Sequence, residues 1–185
     1  MSTDLAIFGG EPIRREPFPV WPRITEEMKK SLIHTFEEED WGVGSKTITL
    51  FNEQFATMQD AKYCLSIHSG TSAIWICLKA AGIEAGDEVI LPSYTFIATA
   101  TAVVLANAVP VFADIDKKTA NLDPTSVEKL ITKKTKAIIP VHTAGAPADM
   151  KAFLDISEKY NIPIIEDAAQ GHGSIIDNKK VGAIG

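Results

Sequence analysis

From residue 62 onward the chain alternates short apolar strands with helices, and no other sequence feature restricts its fold as tightly. Residues 63–67, 88–91, 109–113, 137–141 and 162–165 read as strands. Residues 71–81, 95–107, 124–131 and 148–160 read as the helices between them. Consecutive strands joined by helices cannot be hairpins, so they lie parallel with right-handed crossovers. Ala137-Ile138-Ile139-Pro140-Val141 is apolar almost throughout, the pattern of a strand covered on both faces. The expected class is therefore α/β, a mostly parallel sheet with flanking helices. Residues 174–177 and 181–184, joined through Asn178-Lys179, read as a hairpin.

The first part of the chain is different. Gly9-Gly10, Pro12, Pro17, Pro19 and Pro22 rule out a long helix, so residues 1–24 are expected to form an extended arm. Phe18, Val20 and Trp21 on that arm need a surface to cover them, and a neighbouring subunit is the expected one. Thr25 is placed to cap a helix carrying Met28, Leu32, Ile33 and Phe36 at helical spacing. A second helix is expected over 48–59. Residues 25–185 then form the amino-terminal part of one large domain. Val181-Gly182-Ala183-Ile184-Gly185 reads as structure still in progress, so a truncated large domain without a following small domain is expected.

Composition removes several function classes. A net charge of −6 with no basic stripe argues against nucleic acid as a partner. The longest apolar stretches are interrupted by Thr, Asn and Pro, which argues against a membrane span. Met1-Ser2-Thr3-Asp4 lacks the basic-then-apolar pattern of an export signal, and the two cysteines, Cys64 and Cys77, lie among apolar neighbours. Two reduced core thiols in a cytoplasmic protein are expected.

Ile164-Ile165-Glu166-Asp167-Ala168-Ala169-Gln170 carries the strongest chemical signal. It puts a carboxylate and an amide where an apolar strand ends, the edge at which open α/β sheets bind ligands. An Asp held in such a crevice needs a partner, and a cationic ring nitrogen would be one. Ser69-Gly70-Thr71-Ser72 lies between a strand and a helix, as a phosphate cradle would, although the same residues also make an ordinary helix cap. Phe96, in Pro92-Ser93-Tyr94-Thr95-Phe96, follows another strand end and can either lie on a planar ligand or pack beneath its helix. Together these elements point to pyridoxal phosphate (PLP), with Asp167 on the pyridine nitrogen and Gln170 near the ring hydroxyl. Glu166 alternates to the other face and reads as structural. Asp114 and Asp116 read as a solvated loop, because no His or Cys accompanies them at metal-ligand spacing. His142 is expected near the crevice and His172 in a loop, neither with a catalytic role.

These segments, in this order, resemble the DegT/StrS-type sugar aminotransferases, a branch of fold-type I PLP enzymes. The resemblance runs from the Gly9-Gly10-Glu11-Pro12 arm to Gly185. Its densest blocks are residues 69–73, 86–96, 138–142 and 165–170. It implies that Gly70, Thr71 and Ser72 bind the cofactor phosphate, that Phe96 stacks on the ring, and that Asp167 and Gln170 contact its nitrogen and oxygen. It implies a homodimer passing an amino group from glutamate or glutamine to a keto-sugar, often nucleotide-linked, or to a cyclitol ketone. The arm looks most like members acting on cyclitols. The family's Schiff-base Lys is expected beyond Gly185, so none of the catalytic residues falls in this chain. Lys179 and Lys180 match a hairpin turn instead. A dehydratase branch of the family replaces that Lys with His, and a non-catalytic PLP- or sugar-nucleotide-binding module is a further reading. Where the family often carries Tyr and Gln, this chain has Ala144 and Ala146.

Overall fold

The computed structural model describes residues 5–185; residues 1–4, the first part of the expected arm, lie outside the described residues. The chain divides into two units, one up to Thr47 and one from Ile48 to Gly185. In the first, residues 9–24 are irregular after a single 3₁₀ turn at Ala6–Phe8, and Phe18, Val20 and Trp21 are exposed. Helix α1, Glu26–Glu37, starts where Thr25 Oγ1 accepts the Met28 N–H. Helix α2, Lys46–Met58, begins two residues before the expected start. Its first turn is fixed by Asp40, whose carboxylate accepts the Thr47 and Lys46 N–H groups at 2.8 and 3.0 Å and the Ser45 hydroxyl. Those bonds, led by the Thr47 N–H, hold the Asp40 carboxyl down at about 2.

The second unit is built on a parallel sheet. Strand β1 (Glu88–Pro92) lies between β2 (Val109–Ala113) and β3 (Thr135–Ile138). Parallel bridges from Ile138 to Ile164 and from Val141 to Asp167 continue the sheet on the β3 side. Strand β2 pairs residue for residue with β1, Glu88 against Val109 through Pro92 against Ala113. Pro110, which has no N–H to donate, is tolerated in β2, which among the described residues has β1 as its one strand neighbour. Helices α3 (Gly70–Ala80) and α4 (Ala98–Leu105) form a core with Val89, Leu91, Ala137 and Ile139. Helices α5 (Pro124–Leu130) and α6 (Met150–Tyr160) form another with Ile90, Ile138, Ile162 and Ile164. The period-2 alternation of a strand thus sends successive residues of β1 and β3 into different cores, which is why both are apolar on both faces.

Several expectations are corrected here. Residues 63–67 do not form a strand: Tyr63 and Leu65 stay exposed, and the Ser66 N–H goes to Asn52 Oδ1 at 2.9 Å instead of to a ladder. Residues 162–165 contribute a single bridge, at Ile164, not a continuous strand. Helix α4 starts three residues late, after the turn at Ser93–Thr95. The hairpin is real but its turn sits at Asp177-Asn178, both with positive φ, so Lys179 and Lys180 belong to strand β5 (Lys179–Lys180) against β4 (Ile175–Ile176). The thiols are not in the core: Cys64 is half-buried and Cys77 exposed, both free.

Phe153 on α6 is among the largest fully buried side chains. Truncation to Ala leaves a cavity in the α5/α6 core, and Phe153→Ala is expected to lower unfolding stability by about 3–5 kcal/mol. Urea unfolding of wild type and variant measures it; a loss under about 1 kcal/mol would contradict the packing described.

Candidate functional site

The carboxyl ends of the strands open onto a crevice of about 510 Å³, lined by the start of α3, the loop after β1, Val141 and residues 166–170. Gly70, Thr71, Phe96, Asp167 and Gln170, predicted from separate parts of the sequence, all border it.

The α3 end is polar by construction. Ser69 caps the helix, its Oγ accepting the Ser72 N–H and its carbonyl the Ala73 N–H. The N–H groups of Gly70 and Thr71 precede any possible intrahelical acceptor and remain for a ligand. Apart from its chain neighbours and its own helix backbone, no heavy atom lies within 4 Å of where a Cβ on Gly70 would be, so a bulky anion has room to reach the backbone. Ser72 lies in the same first turn of α3. It is not among the lining residues; its hydroxyl receives the Ser69 O–H at 3.1 Å and meets His68 Nε2 at 2.8 Å.

Asp167 is half-buried and its backbone is pinned to the end of β3: its N–H donates to the Pro140 carbonyl at 2.9 Å and its carbonyl accepts from His142 at 3.2 Å. Its Oδ2 accepts the hydroxyl of Thr99 at 2.7 Å, and Oδ1 has a long 3.3 Å bond from the Ala169 N–H. Gln170 Oε1 accepts the Ala144 N–H at 2.6 Å, which leaves the amide NH₂ as the group able to reach a ligand. Phe96 borders the crevice with 72 % of its surface exposed, so it is not packed beneath α4.

Glu166 does what its alternation implies. Its side chain is 4 % exposed and its two oxygens take four donors: His142 Nε2 at 3.0 Å, Gly182 N at 2.8 Å, and Ile184 and Gly185 N at 2.7 Å each. His142 is fully buried, and because its Nδ1 accepts the Ala148 N–H at 3.0 Å, its Nε2 carries the hydrogen donated to Glu166. Behind this pair, Asn121 donates to the Ala146 and Pro147 carbonyls and accepts the Thr143 N–H, each at 3.0 Å, fixing the loop after β3. His172 packs edge-on against Phe55, and Asp116 caps its own turn through the Lys118 and Thr119 N–H groups. Lys180 is held by the Met58 carbonyl and the Asp60 carboxylate. Among the described residues no group of His, Cys, Asp or Glu is arranged to hold a metal, and no helix is long and apolar enough to cross a membrane. Sequence reasoning missed Thr99, Thr95 and Asn121; Thr99 is a hydroxyl in a mostly apolar helix, whereas Thr95 and Asn121 lie among other polar residues and carried no signal.

A family model described as the DegT/DnrJ/EryC1/StrS aminotransferase family matches residues 22–185. The chain belongs to that family. It is 40% identical over 190 residues to an L-glutamine:2-deoxy-scyllo-inosose aminotransferase of Streptomyces kanamyceticus, which covers all of this chain and 44% of that protein. It is 39% identical over 189 residues to the enzyme of the same name from Micromonospora echinospora, covering 99% and 45%. Among solved structures, 3-amino-5-hydroxybenzoic acid synthase superposes with a TM-score of 0.88 at 37% identity, over 91% of this chain and 44% of that one. Bacillus subtilis NtdA, solved with bound cofactor pyridoxamine phosphate (PMP), gives 0.78 at 36% identity, over 88% and 38%. The chain spans less than half the length of the curated relatives it matches.

Burial pushes the Glu166 carboxyl up, but the bonds from His142 and from the Gly182, Gly185 and Ile184 N–H groups outweigh it and hold the group below its ordinary 4.5. A carboxyl lowered by folding adds stability above its unfolded value and loses it as the pH falls through the folded one. Stability measured by urea unfolding is therefore expected to decline below pH 4.5. Glu166→Gln is expected to be less stable at pH 7 and to show a flatter acid limb; a variant with an unchanged profile would contradict the four-donor clamp.

Proposed function

We propose that the crevice holds pyridoxal phosphate and that the natural protein carrying this chain transfers an amino group from glutamine or glutamate to a cyclitol or sugar ketone. The observation that carries the reading is that free helix N–H groups and an anchored carboxylate border one crevice of suitable size. The residues fit the group. The α3 N-terminus, with Gly70 and Thr71, offers backbone donors and a positive dipole end to a phosphate. Asp167 offers an oxygen to a protonated ring nitrogen, Phe96 covers a ring face, and the Gln170 NH₂ suits a ring oxygen. Ser72, in the same turn as Gly70 and Thr71, completes the proposed phosphate set, and its hydroxyl also meets Ser69 and His68.

When bound, the cofactor supplies an electron sink for carbanions at the substrate carbon. The chain's own residues bind and orient: Asp167 holds a proton on the ring nitrogen, and the α3 end fixes the phosphate. The names of the curated relatives favour glutamine as donor and a cyclitol ketone as acceptor. The exposed Phe18, Val20 and Trp21 suit a homodimer, and free Cys64 and Cys77 suit the cytosol.

The test is a transamination assay on the natural full-length protein with PLP, L-glutamine and 2-deoxy-scyllo-inosose, followed by mass spectrometry of the aminated cyclitol. Product is expected, and Asp167→Ala is expected to lower kcat/KM by about a hundredfold or more, the scale on which charge-stabilising groups act. Turnover of neither cyclitol nor sugar ketones by protein with PLP bound would contradict the proposed reaction.

A further inference from the structure

Thr99 lies in the first turn of α4 and is fully buried, in a helix otherwise built of Ala, Thr, Val and Leu. A buried hydroxyl costs stability unless it is bonded, and a Val of nearly the same shape would serve the core better. The hydroxyl is committed: it donates to Asp167 Oδ2 at 2.7 Å, across 68 residues of sequence. A hydroxyl has one hydrogen, so the 2.9 Å contact between Thr99 Oγ1 and Thr95 Oγ1 must have Thr95 as donor. Thr95 borders the crevice and is half-buried. The two threonines thus form a directed chain, Thr95 to Thr99 to Asp167, that runs from the crevice wall into the core and back to the carboxylate.

From this we infer that Thr99, supported by Thr95, is a positioning residue that locks the Asp167 carboxylate so that Oδ1 is the oxygen presented to a cationic ring nitrogen; the inference rests on the cofactor reading above. Oδ2 is occupied by a short bond from a fully buried donor. Oδ1 has only the 3.3 Å Ala169 contact and keeps a strong acceptor site open. Two anchors, the backbone pairing to Pro140 and His142 and the side-chain bond to Thr99, leave the carboxylate without free torsions. Its interaction with a ring N–H⁺ is then pre-organised, with no ordering cost at binding. Without Thr99 the carboxylate can rotate, the ionic bond is averaged over orientations, and the protonated ring loses stabilisation.

The experiment uses the natural full-length protein and PMP labelled with ¹⁵N in the ring, which needs no covalent attachment. The ¹⁵N shift of bound PMP followed against pH reports ring protonation directly, which a merely structural role would not move. Thr99→Val is expected to titrate at lower pH than wild type, by about half a unit or more, while Thr99→Ser, which keeps the hydroxyl, titrates like wild type. Should Thr99→Val fail to fold, Thr95→Val removes the outer donor at the crevice wall and is expected to shift the titration in the same direction by a smaller amount. A folded Thr99→Val with the wild-type titration, or an unshifted Thr95→Val where that variant decides, overturns the inference and leaves the cofactor reading standing. Wild-type protein that binds no PMP overturns the cofactor reading and this inference with it.

Discussion

The crevice exists because the sheet grows in two directions from β1. The chain leaves β1, crosses by α4 to β2 on one side, then returns by α5 to β3 on the other and continues by α6 toward Ile164. Crossovers between parallel strands are right-handed, so reversing direction forces the helices to change faces. This is observed: α4 packs on one core, α5 and α6 on the other. At the point of reversal the loops after β1 and β3 part, and that gap is where ligands bind in such sheets. Polar side chains placed at the strand ends then face a cavity instead of packed neighbours, and α3 closes the opposite wall with its N-terminus.

Around that gap the molecule spends its buried polar groups on geometry. Adjacent residues Glu166 and Asp167 diverge, as strand alternation requires. Asp167 borders the crevice with its outer oxygen lightly bonded, while Glu166 is saturated by four donors and ties residues 182–185 and His142 to the strand end. Asn121 does similar work for the loop 143–147. Gly145, with a φ of 81°, marks a close approach in the same place: a Cβ there would come within 3.2 Å of the Gln170 carbonyl. The loops framing the site are therefore fastened to each other by buried hydrogen bonds, and each such bond is expensive to leave unmade.

Much of this was legible in sequence, for identifiable reasons. Val109–Ala113 and the α5 start at Asp123-Pro124 were found where they were expected, because an isolated apolar run and a cap-plus-proline signal are local. Of the six candidate residues, Gly70, Thr71 and Ser72 open α3 and Phe96, Asp167 and Gln170 follow strand ends, and five of the six border one crevice. The failures are equally physical. Residues 63–67 have strand-like composition, but Asn52 supplies the Ser66 N–H with a side-chain acceptor in place of a ladder. The hairpin turn moved one residue because Asp177 and Asn178 both accept positive φ. Ser72, in the first turn of α3, also meets His68, a pairing that its sequence neighbours did not signal. Thr99 and Asn121 act through partners far along the chain, and periodicity carries no record of such pairs.

The account stands on a phosphorylated pyridine occupying the space between the start of α3 and Asp167. A crystal structure of the natural full-length protein grown with PLP measures this most directly. It is expected to show the phosphate on the Gly70 and Thr71 N–H groups, the ring beside Phe96 and its nitrogen on Asp167 Oδ1. A cofactor bound with its phosphate remote from Gly70, or with its nitrogen away from Asp167, would contradict it.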